Sequence, residues 1–117
     1  MKITQRMASG VTVLDLEGPS TIESQRESLL RETVRGLLAQ DRLHILLNLD
    51  AVSDIDSAGL GDIVQAYTTL KRAGGSLKLE HLRPHVRKLL AITMLLTVID
   101  TFESEAEALA SFARPPA

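Results

Sequence analysis

The sequence predicts a single α/β domain, a mixed β-sheet covered by helices in the order ββαβαβαβα. Three observations lead there. Runs with strand character alternate along the chain with stretches of helical periodicity. One run, Leu43-His44-Ile45-Leu46-Leu47-Asn48-Leu49, is almost wholly apolar, as a strand covered on both faces is. The connections between these segments are short, with no low-complexity linker and no internal repeat. A chain of 117 residues with 44% hydrophobic and 24% charged residues can bury roughly two thirds of its unfolded surface without disulfides or metal. The domain is assigned to residues 1–113, and Arg114-Pro115-Pro116-Ala117 to a disordered tail.

The elements follow in order. Ile3 to Ala8 and Val11 to Glu17 flank Ser9-Gly10, a two-residue hairpin signal, so the chain opens with two antiparallel strands. Gly18-Pro19 breaks the second strand. Ser20 and Glu23 then form a capping box ahead of Ile22, Leu29, Leu30, Val34, Leu37 and Leu38 at helical spacing, which predicts a first helix from about Thr21 to Ala39. The apolar run from Leu43 is the central strand. Between Ser57 and Ala73, Leu60, Ile63, Val64, Tyr67 and Leu70 make one helical stripe that stops at Gly74-Gly75, where a left-handed C-cap is wanted.

Leu77, Leu79 and His81 alternate with Lys78 and Glu80, predicting a fourth strand whose second face meets solvent. Pro84 suits the first turn of a third helix carrying Val86, Leu89 and Leu90. Val98 to Phe102 is expected to be a short fifth strand. Ser104-Glu105-Ala106-Glu107 is a second capping box, opening a last helix to about Phe112.

Composition excludes several function classes. Cysteine is absent, which removes disulfides, thiolate zinc sites and cysteine nucleophiles and is compatible with a cytoplasmic location. The start turns polar at once, unlike a signal peptide, and the apolar-rich run Leu89 to Ile99 is far shorter than the ~20 residues that span a bilayer, so no membrane insertion is expected. Net charge is −2 and aromatics are 3%, so neither a phosphate-backbone footprint nor a base-stacking platform exists and no direct nucleic-acid binding is expected.

The segment that carries chemistry is Asp54-Ile55-Asp56-Ser57-Ala58-Gly59-Leu60-Gly61, between the central strand and the second helix. It puts a hydroxyl at a helix N-terminus, where free backbone N–H groups and the macrodipole favour an anion by about 0.3 to 1 kcal/mol. Gly59 and Gly61 keep the first turn free of bulk, so another protein could approach the hydroxyl closely. By local chemistry alone, Ser57 or Asp56 is simply an N-cap and the glycines are incidental.

The combined motif shifts that balance. Ile55-Asp56-Ser57-Ala58-Gly59-Leu60-Gly61 closely resembles the signature of the STAS family, named for sulphate transporters and anti-sigma factor antagonists. There a D-S-x-G-L-G motif follows the central strand. Here its positions are Asp56, Ser57, Ala58, Gly59, Leu60 and Gly61. The strand Ile45-Leu46-Leu47-Asn48-Leu49 and the helix end Lys71-Arg72-Ala73-Gly74-Gly75 with Leu77-Lys78-Leu79 look like family features too, so the resemblance covers nearly the whole chain.

The resemblance implies an anti-sigma factor antagonist in a partner-switching pathway. Unmodified, it binds an anti-sigma factor that is itself a serine kinase. Phosphorylation of Ser57 releases it, and a serine phosphatase restores it. Asp56, Ser57, Ala58, Gly59, Leu60 and Gly61 form the implied partner surface, and Asp56 sets the loop. The protein is then not an enzyme and needs no cofactor, ATP and Mg²⁺ belonging to the kinase. The alternative within the family is an unphosphorylated STAS accessory subunit of a membrane transport complex, and a structural module of a larger signalling assembly is a third.

Three departures stand out. Gly18-Pro19-Ser20-Thr21 replaces the common G-x-L-D, so a carboxylate near the partner surface is missing at Thr21. Thr93-Met94-Leu95 has Met94 where Gly would take a left-handed conformation, a cost of about 1 kcal/mol that a rebuilt loop would avoid. Ala58 replaces a frequent Ser or Thr, leaving Ser57 as the motif's sole hydroxyl.

Rival chemistries are poorly matched. A hydrolase elbow G-x-S-x-G would need Gly at Ile55, with His44, His81 or His85 as base. No P-loop exists, and Gly59-x-Gly61 lacks the third glycine of a dinucleotide fingerprint. Asp54 and Asp56 fit turn and cap roles better than Mg²⁺ ligation, and Pro84 keeps His81 and His85 off one helical face, so no metal is expected. Arg83, His85, Arg87 and Lys88 make a basic opening to the third helix, read as a solvated face.

Overall fold

The computed structural model describes residues 2–19 and 29–113. Strand β1 (Lys2–Ala8) pairs antiparallel with β2 (Val11–Glu17), Ala8 opposite Val11. Ser9 and Gly10 both have positive φ, 51° and 78°, as a hairpin turn matched to strand twist requires. Helix α1 (Leu29–Ala39) buries Leu30, Val34 and Leu37. Its expected start at Thr21 and the Ser20/Glu23 capping box lie outside the described residues, as does the expected tail 114–117.

Strand β3 (His44–Ala51) lies between β2 and β4 (Ser76–Glu80), parallel to both, with Leu47 aligned to Leu14 on one side and to Leu79 on the other. It is the middle of a five-stranded sheet whose spatial order, β1-β2-β3-β4-β5, follows the chain. Ile45, Leu47 and Leu49 point into the main core with α1, α2 (Ser57–Arg72) and α3 (Pro84–Ile92). Leu46 points the other way, into a smaller cluster with Val11, Val13 and Ala108 under α4 (Glu105–Ala113). The apolar run is thus explained by cover on both faces.

Helix α2 ends as its glycines predict. Gly74 takes φ 85°, Gly75 N–H donates to Leu70 C=O at 2.7 Å and Gly74 N–H to Lys71 C=O at 3.1 Å, the paired bonds of a Schellman cap. Gly75 has a second reason to lack a side chain: a Cβ there would sit 2.1 Å from the Leu43 carbonyl oxygen.

Three expectations need correction. The second face of β4 does not meet solvent: Glu80 is 0% exposed, because α4 returns across that face, and His81 lies beyond the strand with φ 57°. The fifth strand is only Thr101–Phe102. A 3₁₀ turn at Leu95–Thr97 takes up the preceding backbone, with Val98 and Ile99 N–H both donating to Leu95 C=O. Met94, before that turn, keeps the left-handed conformation at φ 65°, so the loop bears the strain instead of being rebuilt. Of the second capping box the Ser104 half forms, Glu107 N–H donating to Ser104 Oγ at 3.3 Å.

Candidate functional site at the N-terminus of α2

The parallel strands β2, β3 and β4 end on one rim of the sheet, and the loop from β3 to α2 lies there. Val52 (0% exposed) and Ile55 (6%) pin this loop into the core. Its neighbours fix it further: Gly18 N–H donates to Ala51 C=O (2.9 Å), Ser53 N–H to Gly18 C=O (3.3 Å) and Arg83 Nε to Asp50 C=O (2.6 Å). Arg83, from the basic opening of α3, therefore serves as a tether.

Asp56 is the N-cap. Its backbone is extended (φ −119°, ψ −171°), and its Oδ1 accepts from Ala58 N–H at 3.0 Å and Gly59 N–H at 3.1 Å. Ser57 is the first helical residue, exposed, and its hydroxyl makes no hydrogen bond among the described residues. The question left open between Asp56 and Ser57 is decided: the aspartate does the capping, and the serine is left to solvent.

The six motif residues divide by helix phase. Ser57 and Gly61 are exposed one turn apart, and Ala58 is half-buried. Leu60 (7% exposed) joins the core with Ile63 and Leu70, and Gly59 is buried. Leu60 and Gly59 therefore support the outer surface from below and do not form it. A Cβ on Gly61 would meet nothing within 4 Å, so nothing in the fold requires glycine there. An interior helical glycine costs about 1 kcal/mol relative to alanine, and here no packing gain offsets it.

The rival bases are elsewhere. His44 opens β3 while Ser57 follows its far end, and His44 Nδ1 is 2.8 Å from Ser76 Oγ with its ring edge-on to Phe112. His81 sits beside Glu80, with 3.7 Å between Nε2 and Oε2. Among the described residues, no three His, Cys, Asp or Glu side chains are grouped to hold a metal ion. Among the same residues, no helix is long and apolar enough to cross a membrane.

Beneath α4 lies a polar cluster that sequence reading missed. Arg6 from β1 donates to Asp15 of β2 (Nε–Oδ2 2.7 Å) and to both carboxylate oxygens of Glu105, the first residue of α4. Asn48 Nδ2 donates to Asp15 Oδ1 at 2.8 Å. Glu80 lies among them, 3.9 Å from Arg6; as a carboxylate neither of its oxygens has a hydrogen-bond partner, and in protonated form it donates to Glu105. Burial first, and then the neighbouring Glu105 carboxylate, push its pKa up to about 8. The Arg6 guanidinium, by hydrogen bonding, holds Asp15 and Glu105 below the ordinary carboxylate range. The sequence signal was Arg6, Asp15 and Glu80 at inward positions of three strands, visible only once register is known.

Fold and site together define a small α/β module that displays a serine hydroxyl on the rim of a mixed sheet. The chain belongs to the STAS domain family, whose model matches residues 2–108. It is 41% identical over 63 residues to the anti-sigma-B factor antagonist of Bacillus subtilis, an alignment covering 54% of this chain and 58% of that one. It is 27% identical over 112 residues to BtrV of Bordetella bronchiseptica, provisionally named an anti-sigma factor antagonist, covering 96% of this chain and 95% of that one. Among solved structures, an anti-sigma factor antagonist from Mycobacterium paratuberculosis superposes with TM-score 0.84 at 18% identity, over 97% of this chain and 94% of that one. The Bacillus cell fate determinant SpoIIAA in its phosphorylated form superposes with TM-score 0.72 at 21% identity, over 97% and 100%.

Proposed function

We propose that this chain is an anti-sigma factor antagonist that binds an anti-sigma factor serine kinase when unmodified and is released when Ser57 is phosphorylated. The observation that carries this reading is the exposed, unbonded Ser57 hydroxyl at the first position of α2, with open space over Gly61 one turn away. Relatives named as antagonists of anti-sigma factors support the role. Asp56 holds the first amides of α2, so the chain brings a rigid acceptor, and the kinase brings ATP, Mg²⁺ and the base.

In the transfer, Ser57 Oγ forms a bond to the γ-phosphorus of the kinase's ATP, the bond to the ADP oxygen breaks, and the hydroxyl proton passes to the kinase's base. The product phosphate lies at a helix N-terminus, where the macrodipole favours it, while the amides of Ala58 and Gly59 stay with Asp56. A serine phosphatase returns the hydroxyl by hydrolysis. The protein acts as phosphoacceptor and binding partner, not as a catalyst.

Affinity capture from native cells followed by intact-mass measurement tests both halves at once. The expected result is a serine kinase partner together with a species heavier by one phosphate that Ser57→Ala abolishes. Capture of a transport ATPase or permease with no phosphorylated species would replace this reading by the accessory-subunit alternative.

A further inference from the structure

Helices α1 and α2 lie side by side on the sheet, and between them on the outer surface runs a groove of about 350 Å³. Arg31 and Arg35, one turn apart, form its α1 wall; Arg72, with Gln65 and Thr69, forms the α2 wall. Buried Val34 and half-buried Val64 give it an apolar floor. Arg31 pairs with Asp62 at 3.5 Å. Arg35 and Arg72 are exposed on opposite walls, and among the described residues neither has an ion-pair partner. Arg72 offsets the negative end of α2, but Arg35 sits inside α1, where it complements no helix end.

Unpaired arginines facing one another across a groove call for an acidic occupant, and here they do so on a chain whose net charge is −2. We propose that this groove docks an acidic amphipathic helix of a partner protein. Arg31 already meets Asp62, so the carboxylates of such a helix face Arg35 on one wall and Arg72 on the other. Its apolar side rests on Val34 and Val64. The cations come from two walls and more than one turn, so they match a row of carboxylates better than one compact anion. Nucleic acid is a poor occupant, since the groove has no aromatic lining.

The groove lies along the C-terminal half of α2, from Val64 to Arg72, while Ser57 opens that helix. At 1.5 Å per residue, the groove runs from about 10 Å (Val64) to about 22 Å (Arg72) along the axis from Ser57, its near end within one turn of Gly61. This second surface adjoins the first and rests on Arg35, Arg72 and the apolar floor, not on the Ser57 reading.

The test places the photo-crosslinker p-benzoylphenylalanine at Gln65, an exposed groove residue, in the full-length protein in its own cells. Cross-linked peptides are mapped by mass spectrometry. The expected cross-link falls on a partner helix with two or more Asp or Glu at helical spacing, and Arg35→Glu with Arg72→Glu lowers its yield about tenfold. Lysines replacing those partner carboxylates restore it. Both arginines are exposed, so the double variant should melt like the parent, which a thermal melt checks first. Ser57 phosphorylation measured in the same variant separates this surface from the kinase contact. No cross-link, cross-links indifferent to the charge reversal, or cross-links to lipid, nucleic acid or a segment without paired carboxylates would each overturn the proposal.

Discussion

At the start of α2 two adjacent side chains divide the labour that one N-cap serine often performs alone. Asp56 satisfies the amides of Ala58 and Gly59, so Asp56→Ala should lower stability by about 1 kcal/mol, while Ser57→Ala should stay within about 0.5 kcal/mol of the parent and lose the phosphate. Urea unfolding with intact-mass measurement checks both; equal destabilisation, or parental phosphate levels moved to Ser53, would count against the assignment. Gly61 makes a sharper case. With open space above it, Gly61→Ala should stabilise the fold by about 0.5 to 1 kcal/mol and yet weaken kinase binding, because the methyl group stands on the face shared with Ser57. Melting and calorimetry would report opposite signs, and unchanged binding would remove Gly61 from the docking surface. Leu60→Lys, by contrast, should collapse the melt, since an ammonium would enter the core. The motif and the helical stripe disagree about Leu60: one puts it on the partner surface, the other in line with Ile63 and Leu70. The stripe wins, because apolar burial acts on every molecule of the free domain. Which of Asp56 and Ser57 caps α2 was not legible, since both residue types cap well and only the backbone angles decide.

Among the elements, α4 has the most to reveal. Its first residue is tied through Arg6 to β1 and β2, and it lies over Glu80, a carboxyl with no exposed surface. Glu80 titrates near pH 8 in the folded protein against an ordinary value of 4.5. Between those values the folded state holds a proton that the unfolded chain releases, so stability falls as pH rises from about 4.5 to about 8 and levels off above. Asp15 and Glu105, held low by Arg6, act with the opposite sign: their contribution is present above the ordinary carboxylate values and is lost in acid. The melting temperature should therefore drop both on strong acidification and between pH 5 and 8. Glu80→Gln, neutral and of the same shape, should remove the second decline alone. If the Gln variant tracked the parent through that range, Glu80 would not be the group responsible. The alternation of β4 was legible, but its consequence was not: period two shows that Lys78 and Glu80 share a face without showing that α4 folds back over it. The two-residue β5 escaped for a related reason, as Val98 and Ile99 spend their N–H groups on the turn at Leu95.

For the molecule as a whole, the order of elements could be read from the chain because each has its own periodicity and punctuation, from the Ser9-Gly10 turn to the Gly74-Gly75 cap. The spatial order of the strands, and which helix covers which face, depend on contacts between distant segments and were not encoded in any local pattern. That architecture bears directly on how a switch at Ser57 would work. The loop before Ser57 is pinned by Val52 and Ile55 inside and tied to the Gly18 and Arg83 segments outside, while the hydroxyl itself faces solvent. A phosphate added there displaces no core group and gains the positive end of α2, so the free domain has no reason to rearrange. Backbone amide shifts on phosphorylation should be confined to the loop and the first turns of α2. The cost falls on the complex, where about two negative charges would have to be buried against a flat surface of Ala58 and Gly61, with Asp54 and Asp56 close by. Affinity for the kinase should then drop on the order of 100-fold, about 3 kcal/mol. Calorimetry with phosphorylated and unmodified protein decides the matter: affinities within about threefold of each other, or amide shifts spread across the sheet, would show that Ser57 phosphorylation does not switch partners by the surface mechanism.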